Sequence, residues 1–519
     1  MHIGVDVGGT NTDAALLDGS RVVAWVKSPT THDVGSGIVA AISSILKSSG
    51  CAVTDVSSVM IGTTQFTNAF VEGKKLVPVA VIRAGLPATR GVMPMTEFPP
   101  HLTNQIGRQS YLVEGGYDFD GSEINRLDER AVAKAARDIK KRGIASVVVS
   151  GVFTPINDAM ETRMAEILYE EIPGVEVTLS SEIGRIGLIE RENAAIMNAS
   201  LADLSTAVIE AFRSALNKLD IHCPFFVSQN DGTLMISEFA EKYPVLTFAS
   251  GPTNSMRGAA FLSGVKNGIV ADIGGTTTDV GVLIDGFPRE SAISVDVGSV
   301  RTNFRMPDVL AVGLGGGSIV RQTDTGVTVG PDSVALDLLS EARVFGGSTL
   351  TTTDIAVAAG YANIGTQSGV SDLDPSEVEA AVDAIHRLLE TTVDRVKSSR
   401  GDVPVILVGG GSVLIDRDIK GASEVIRPEL SGVANAIGAG LAQVGGEIDR
   451  IYSYNDLGRE DSIAQAKEGA INRAVSAGAS AASTSVVSVE EIPLAYLPAG
   501  AVRLKVKAIG DLDKMEALQ

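Results

Sequence analysis

Residues 6–13 read DVGGTNTD, and residues 272–279 read DIGGTTTD. Asp6, Thr10, Thr12 and Asp13 of the first copy correspond to Asp272, Thr276, Thr278 and Asp279 of the second. Each copy follows a short apolar run (GVDV, VADI) and leads into another (TDAALLD, TDVGVLID), so each reads as a β-hairpin. A chain that writes the same hairpin twice reads as a duplicated unit. Side chains alternate along a strand, which puts Ile3, Val5 and Val7 on one face and Gly4, Asp6 and Gly8 on the other. The second face is bare except for one carboxylate.

Working outward, RVVAWVK (21–27) adds a third strand after Asp18-Gly19, and Asp285-Gly286 marks the same place in the second copy. Helical patterns then alternate with apolar runs. KAARDIKKRG precedes IASVVVSGVF, and EVEAAVDAIHRLLETTVDRVKSS precedes VPVILVGGG. This is α/β patterning in two lobes. The expected division is a first lobe over 1–181, a helical connector over 182–265, a second lobe over 266–450 and a small α+β appendix over 451–519. Residues 84–122, rich in Pro and Gly, read as a loop-rich insertion on the first lobe.

The repeated turn has a definite chemistry. Gly8 and Gly9 let the backbone approach a ligand and turn N–H groups outward, as a phosphate oxygen requires, while Thr10 and Thr12 add hydroxyls. Gly274, Gly275, Thr276 and Thr277 supply the same set in the second copy. Asp6 and Asp272 beside phosphates need a cation between them, and magnesium, held by one or two carboxylates plus phosphate oxygens, fits that need. Asp13 and Asp279 could instead bond their own turns. A further cluster, Gly409, Gly410, Gly411 and Ser412, ends an apolar strand and leaves a flat surface for a nucleoside. Gly315 to Ser318 offers an alternative to it.

Bulk properties exclude several classes. The chain has 519 residues, 44% of them apolar, and a formal net charge of -20 with no basic stripe, which argues against nucleic acid. Its two cysteines, Cys51 and Cys223, have no metal-ligand spacing, and no apolar run nears the ~20 residues that span a bilayer. A cytoplasmic protein is expected. The five histidines are scattered and suggest no site. Glu190, Arg191, Glu192 and Asn193 read either as a solvated face or as a substrate-facing patch.

DVGGTNTD, GTTQFTNAF (62–70), LSSEIGRIGLIERENAAIMNASL (179–201), FVSQNDGTLM (226–235), PVLTFASGP (244–252), DIGGTTTDV, VGLGGGSI (312–319) and VSVEEIPLAYLPAGAVRLKVKAIGDL (487–512) occur in an order that resembles the hydantoinase/oxoprolinase A-type subunits. That family falls within the actin, Hsp70 and sugar-kinase ATPase superfamily. The resemblance implies two ribonuclease H-like lobes closing on Mg-ATP, with Asp6 and Asp272 holding magnesium or orienting the attacking oxygen. Gly8, Gly9, Thr10, Gly274, Gly275, Thr276 and Thr277 would hold phosphates. It also implies an ATP-dependent hydrolase of cyclic amides that phosphorylates the carbonyl oxygen and works with a B-type hydantoinase partner protein. A small-molecule kinase and an ATP-driven reactivating chaperone of a cobalamin dehydratase are the alternatives. Two departures from the family pattern are Ile61, where a His is common before Gly-Thr-Thr, and VGPDSVALDLLSEARVFGG (329–347) in place of a Pro-Gly-Pro-Ala-Cys-Tyr-Gly stretch. The segment 84–122 is the candidate surface for substrate or partner, in which case Leu86, Met93, Met95, Phe98 and Tyr111 should be exposed; the alternative is that they pack the insertion onto its own lobe.

Overall fold

The computed structural model describes residues 1–8, 11–29, 34–291, 294–323, 326–495 and 500–512. Among these residues, one sheet carries nine strands and a second carries six. The middle of the first sheet runs Arg21–Pro29, Asn11–Asp18, His2–Val7, Ser58–Thr63, Phe225–Ser228. The second runs Phe287–Pro288, Thr278–Ile284, Gly268–Ile273, Val403–Val408, Ala422–Ile426. In both, the opening strand is antiparallel to the one after it in the chain and parallel to a later strand on its other side. This shared 3-2-1-4-5 order is the ribonuclease H-like topology, so each copy of the duplicated hairpin opens one of two like lobes.

Strand pairing moves the expected boundaries. Residues 79–179 do not belong to the first-lobe sheet. Gln109–Glu114, Val79–Leu86, Ser146–Gly151 and Glu176–Leu179 form a separate parallel four-stranded sheet. The stretch 84–122, read as irregular, contributes the edge strand Gln109–Glu114 and the helix Pro100–Ile106. Its Pro and Gly residues punctuate short elements. Met95 and Phe98 are buried there and Leu86 and Tyr111 are half-buried, which leaves Met93 as the exposed apolar group of the five. The expected C-terminal appendix is no separate unit either. Ser485–Pro493 and Ala501–Gly510 join Val444–Ser453 and Leu234–Ile236 to extend the first-lobe sheet. Part of the presumed connector and the end of the presumed second lobe therefore belong to the first.

The connector helices are core. In Leu188–Ser200, Arg191, Glu192 and Asn193 are buried, so the solvated-face reading fails. Glu192 accepts from Arg83 Nε at 2.7 Å and from Ser150 Oγ at 2.5 Å, riveting this helix to two strands of the parallel sheet. Breaking such a buried pair leaves an uncompensated charge, which commonly costs about 3–5 kcal/mol. Among the described residues no single helix is long and apolar enough to cross a membrane. A pair bent by 52°, Leu188–Ser200 with Ala202–Asn217, has the length and composition. Its apolar residues fill the first-lobe core.

Two small-residue helices join the lobes. Ser250–Ser263 lies on the second lobe, where Met256 and Ala259 pack with Val270, Leu283, Ile406 and Val408. Ala434–Leu441 lies on the first, with Ala436 and Ile437 against Ala15 and Leu17. They touch backbone to backbone. A Cβ on Gly258 would stand 1.9 Å from Ala434 O, and one on Gly438 would stand 1.9 Å from Asn254 O.

Candidate nucleotide cleft

The two hairpin turns close alike. Gly8 N–H donates to Asn11 O at 3.0 Å, and Gly274 N–H donates to Thr277 O at 2.9 Å. In each hairpin the register sets two carboxylates side by side, Asp6 opposite Asp13 and Asp272 opposite Asp279. The neighbouring parallel strand leaves room for the first carboxylate with a glycine. A Cβ on Gly62 would lie 2.3 Å from Asp6 Oδ1, and one on Gly409 would lie 2.3 Å from Asp272 Oδ1. Gly409 thus makes space for Asp272, and its φ of +83° suits glycine.

The lobes differ in how the second carboxylate is treated. Asp13 pairs in register with Lys27 on the third strand, and Lys27 Nζ lies 2.8 Å from Asp13 Oδ2. Asp279 instead faces Ala311. Burial, with Asp272 beside it, raises the Asp279 pKa to about 7. Burial and the Asp13 charge raise Asp6 to about 6 against amide donation from Asn254 and Asn435. Asp272 is also raised, by burial, with a hydrogen bond from Ser255 opposing it. Each hairpin thus carries a buried pair of carboxylates, and Lys27 offsets one of the four, Asp13.

Gly8 and Gly274 line one cleft with a volume of about 280 Å³, together with Asp13, Lys27, Asp272, Gly275, Gly409, Gly410 and Gly411. Its lining divides by chemistry. Glycines and carboxylates make one part, while Leu338, Phe345, Ile364, Val413 and Leu414 supply an apolar part. Both later glycine clusters reach it. Gly316 also lines the cleft, and Gly316 and Gly317 N–H groups brace the second turn through the carbonyls of Gly274 and Gly275 at 3.0 and 2.7 Å.

Several expected contacts are placed elsewhere. Thr12 is buried, and its counterpart Thr278 donates its hydroxyl to Leu314 O at 2.6 Å, so both serve the strands. Alternation explains this, because Asn11 and Asp13 take the cleft face. Thr276, Thr277 and Ser412 are outside the lining, and Asp6 sits just beneath it, 5% exposed. Gly9 and Thr10 lie outside the described residues. Ile61 is buried in the core, and Gly62, next to it, takes the Asp6 side of the strand, so position 61 faces away from that carboxylate.

Sequence reading missed Lys27, Asn254 and Asn435. For Lys27 the signal existed, since two tight turns fix the register that sets it opposite Asp13. The asparagines sit on helices far along the chain. Asn254 Nδ2 donates to Asp6 Oδ1 at 3.3 Å, and Asn435 Nδ2 donates to Asp6 Oδ2 at 3.0 Å and to Asp13 Oδ2 at 3.1 Å.

Comparison with known proteins agrees with this architecture. The chain is 30% identical over 414 residues to the acetophenone carboxylase gamma subunit of Aromatoleum aromaticum, covering 73% of this chain and 56% of that one. It is 27% identical over 416 residues to the caprolactamase subunit alpha of Pseudomonas jessenii, covering 74% and 58%. The chain therefore spans little more than half the length of these two relatives. In fold it is similar to the crystal structure of the ATP-dependent caprolactamase from Pseudomonas jessenii, with a TM-score of 0.78 at 20% identity over 99% of this chain and 88% of that one. It is also similar to nucleotide-free acetone carboxylase, with a TM-score of 0.69 at 20% identity over the same shares. The hydantoinase/oxoprolinase N-terminal region matches residues 2–172 and the hydantoinase/oxoprolinase domain matches residues 191–403, so the chain belongs to the hydantoinase/oxoprolinase family.

Proposed function

We propose that this chain is the ATP-handling subunit of an enzyme that activates the carbonyl of a cyclic amide by phosphoryl transfer, as a prelude to ring opening. The observation that carries this reading is the convergence of Gly8 and Asp13 from the first hairpin with Asp272, Gly274 and Gly275 from the second on one cleft with an apolar part. That lining suits a molecule with a polyphosphate and a flat base. Backbone N–H groups at the turns would take phosphate oxygens, and Gly410 and Gly411 would leave a flat surface for the nucleoside.

The residues present fit magnesium. Among the described residues no three His, Cys, Asp or Glu side chains group to hold a metal by themselves. The burial-raised carboxylates of Asp6 and Asp272 would hold it with phosphate oxygens completing the shell, which is the usual arrangement for this ion. When bound, it supplies charge neutralisation between the carboxylates and the phosphates. Lys27 keeps Asp13 paired and bridges the lobes through Gly432 O at 3.0 Å. Asn254 and Asn435 orient Asp6.

Ring opening needs more than this cleft offers. We infer a partner polypeptide of the B type that hydrolyses the activated amide, since the described cleft pairs no Ser or Cys nucleophile with a histidine base. Caprolactamase and acetophenone carboxylase relatives, both named as subunits, support such an assembly. The test is ATP consumption by the chain, alone and with a B-type protein, against lactams, hydantoins and 5-oxoproline, with product analysis. Ring-opened product with ADP and phosphate only in the paired reaction is expected. A stable phosphorylated product from the chain alone would make it a kinase, and ATP turnover indifferent to every amide would sink the proposal.

A further inference from the structure

We propose that the chain carries a second ligand site, for one small oxyanion, where Arg473, Arg450, Arg185 and Arg305 converge with Ser181 on a cavity of about 70 Å³ beside the extended first-lobe sheet. The turn Ser181–Arg185 and the strand residues Gly445–Arg450 form its walls. Arg473 is brought there by close packing. A Cβ on Gly446 would lie 2.2 Å from Ala474 N, so the helix Arg459–Ser476 rests directly on the strand at this point.

The charges around the cavity are matched except one. Arg185 lies 2.9 Å from Asp449, Arg305 lies 2.6 Å from Glu447, and Arg450 lies 3.3 Å from Asp158. Arg473 has no carboxylate within ion-pair distance among the described residues and makes a single hydrogen bond, from Nη2 to Glu182 O at 2.5 Å. The Glu182 carboxylate is itself occupied, by the Tyr243 hydroxyl at 2.6 Å and by Lys242 at 3.4 Å. Burial pushes the Arg473 guanidinium below its ordinary value. A further donor points to a missing acceptor, since Arg305 Nε is buried without a hydrogen-bond partner.

Size and geometry narrow the ligand. A guanidinium offers paired N–H groups that match two oxygens of a carboxylate or phosphate. The cavity has room for one such anion or a few waters, and none for a nucleotide. The site is also distinct from the nucleotide cleft. Its strand Val444–Ser453 stands four places from His2–Val7 in the sheet, roughly 19 Å at the usual spacing. The two are nonetheless connected. Asn230 Nδ2 donates to Arg305 O at 2.5 Å, Thr253 Oγ1 donates to Asn230 O at 3.2 Å, and the next residue, Asn254, holds Asp6.

Calorimetric titration of the full chain with formate, bicarbonate and phosphate, at constant ionic strength in chloride, tests the proposal. One equivalent of at least one anion should bind, and R473Q should weaken it at least tenfold while leaving ATP affinity and the unfolding midpoint unchanged or higher. Preference for formate or bicarbonate would identify a planar two-oxygen ligand, and preference for phosphate a tetrahedral one. Ser181→Ala removes a hydroxyl from the cavity wall, so it should bind the anion more weakly. Binding that is absent, or equal in wild type, R473Q and S181A, overturns the proposal, as does a crystal grown with formate that holds ordered waters only.

Discussion

The side-chain amide of Asn435 lies 3.0 Å from the carboxylate of Asp6, which joins the interlobe helix to the first of the two repeated hairpins. The same nitrogen reaches Asp13 at 3.1 Å. One neutral donor therefore holds two carboxylates that would otherwise repel each other.

Asn435→Asp should convert that donor into a third negative group. ATP affinity, read by titration with a fluorescent nucleotide, should fall about tenfold or more at low magnesium and recover as magnesium rises, since a tenfold change needs only about 1.4 kcal/mol. Asn435→Ala should weaken affinity at every magnesium concentration. Wild-type affinity in both variants would show that Asp6 needs no such support.

Asp272→Asn should abolish ATP turnover in a folded protein. Ser255 can still bond the amide, and Gly409 still leaves space for it, so shape is kept and only charge is lost. A loss of ~10²-fold or more is expected where one positioning interaction is removed. Circular dichroism alongside steady-state ATPase rates decides the matter, and a folded variant with wild-type rates would refute the role.

Asp279 should make stability depend on pH. Its pKa rises from 3.8 to about 7 on folding, so the folded state prefers the protonated form. The stability linked to it is complete below about pH 4 and is lost as pH rises through about 7. Asp279→Asn mimics the protonated form at every pH. Its unfolding free energy should match wild type near pH 4 and exceed it by on the order of 1–3 kcal/mol at pH 8, with magnesium and ATP narrowing the gap. Parallel curves from pH 4 to 8 would exclude the effect.

How far the sequence could be read follows from the range of each interaction. The hairpins, the carboxylate on the bare face of each opening strand and the two-lobe order are legible because alternation and tight turns are local, and duplication makes the pattern unmistakable. The separate parallel sheet was not, since Gln109–Glu114 is a short strand inside a Pro-rich stretch and pairs with a strand more than twenty residues earlier. The C-terminal strands were legible as strands, yet nothing local tells that Ala501–Gly510 seeks Val444–Ser453. Thr12 reads as a hydroxyl donor beside the turn, whereas strand alternation turns it inward, where it is buried.

The helix crossing between the lobes leads to the last prediction. At Gly438 a Cβ would stand 1.9 Å from Asn254 O and 2.7 Å from Gly258 N, both backbone atoms of a buried helix that cannot yield as a flexible side chain can. Gly438→Ala should therefore force the two helices apart, costing about 1–3 kcal/mol or more as overpacking does. Because Asn435 and Asn254 ride on these same helices, the separation should also pull their amides from Asp6 and lower ATP affinity. Gly401→Ala is the control, since a Cβ there meets nothing within 4 Å. Denaturant unfolding and nucleotide titration of both variants give the outcome: parallel loss of stability and affinity in Gly438→Ala alone is expected, and a stable Gly438→Ala with full affinity would mean that the helices do not set the cleft.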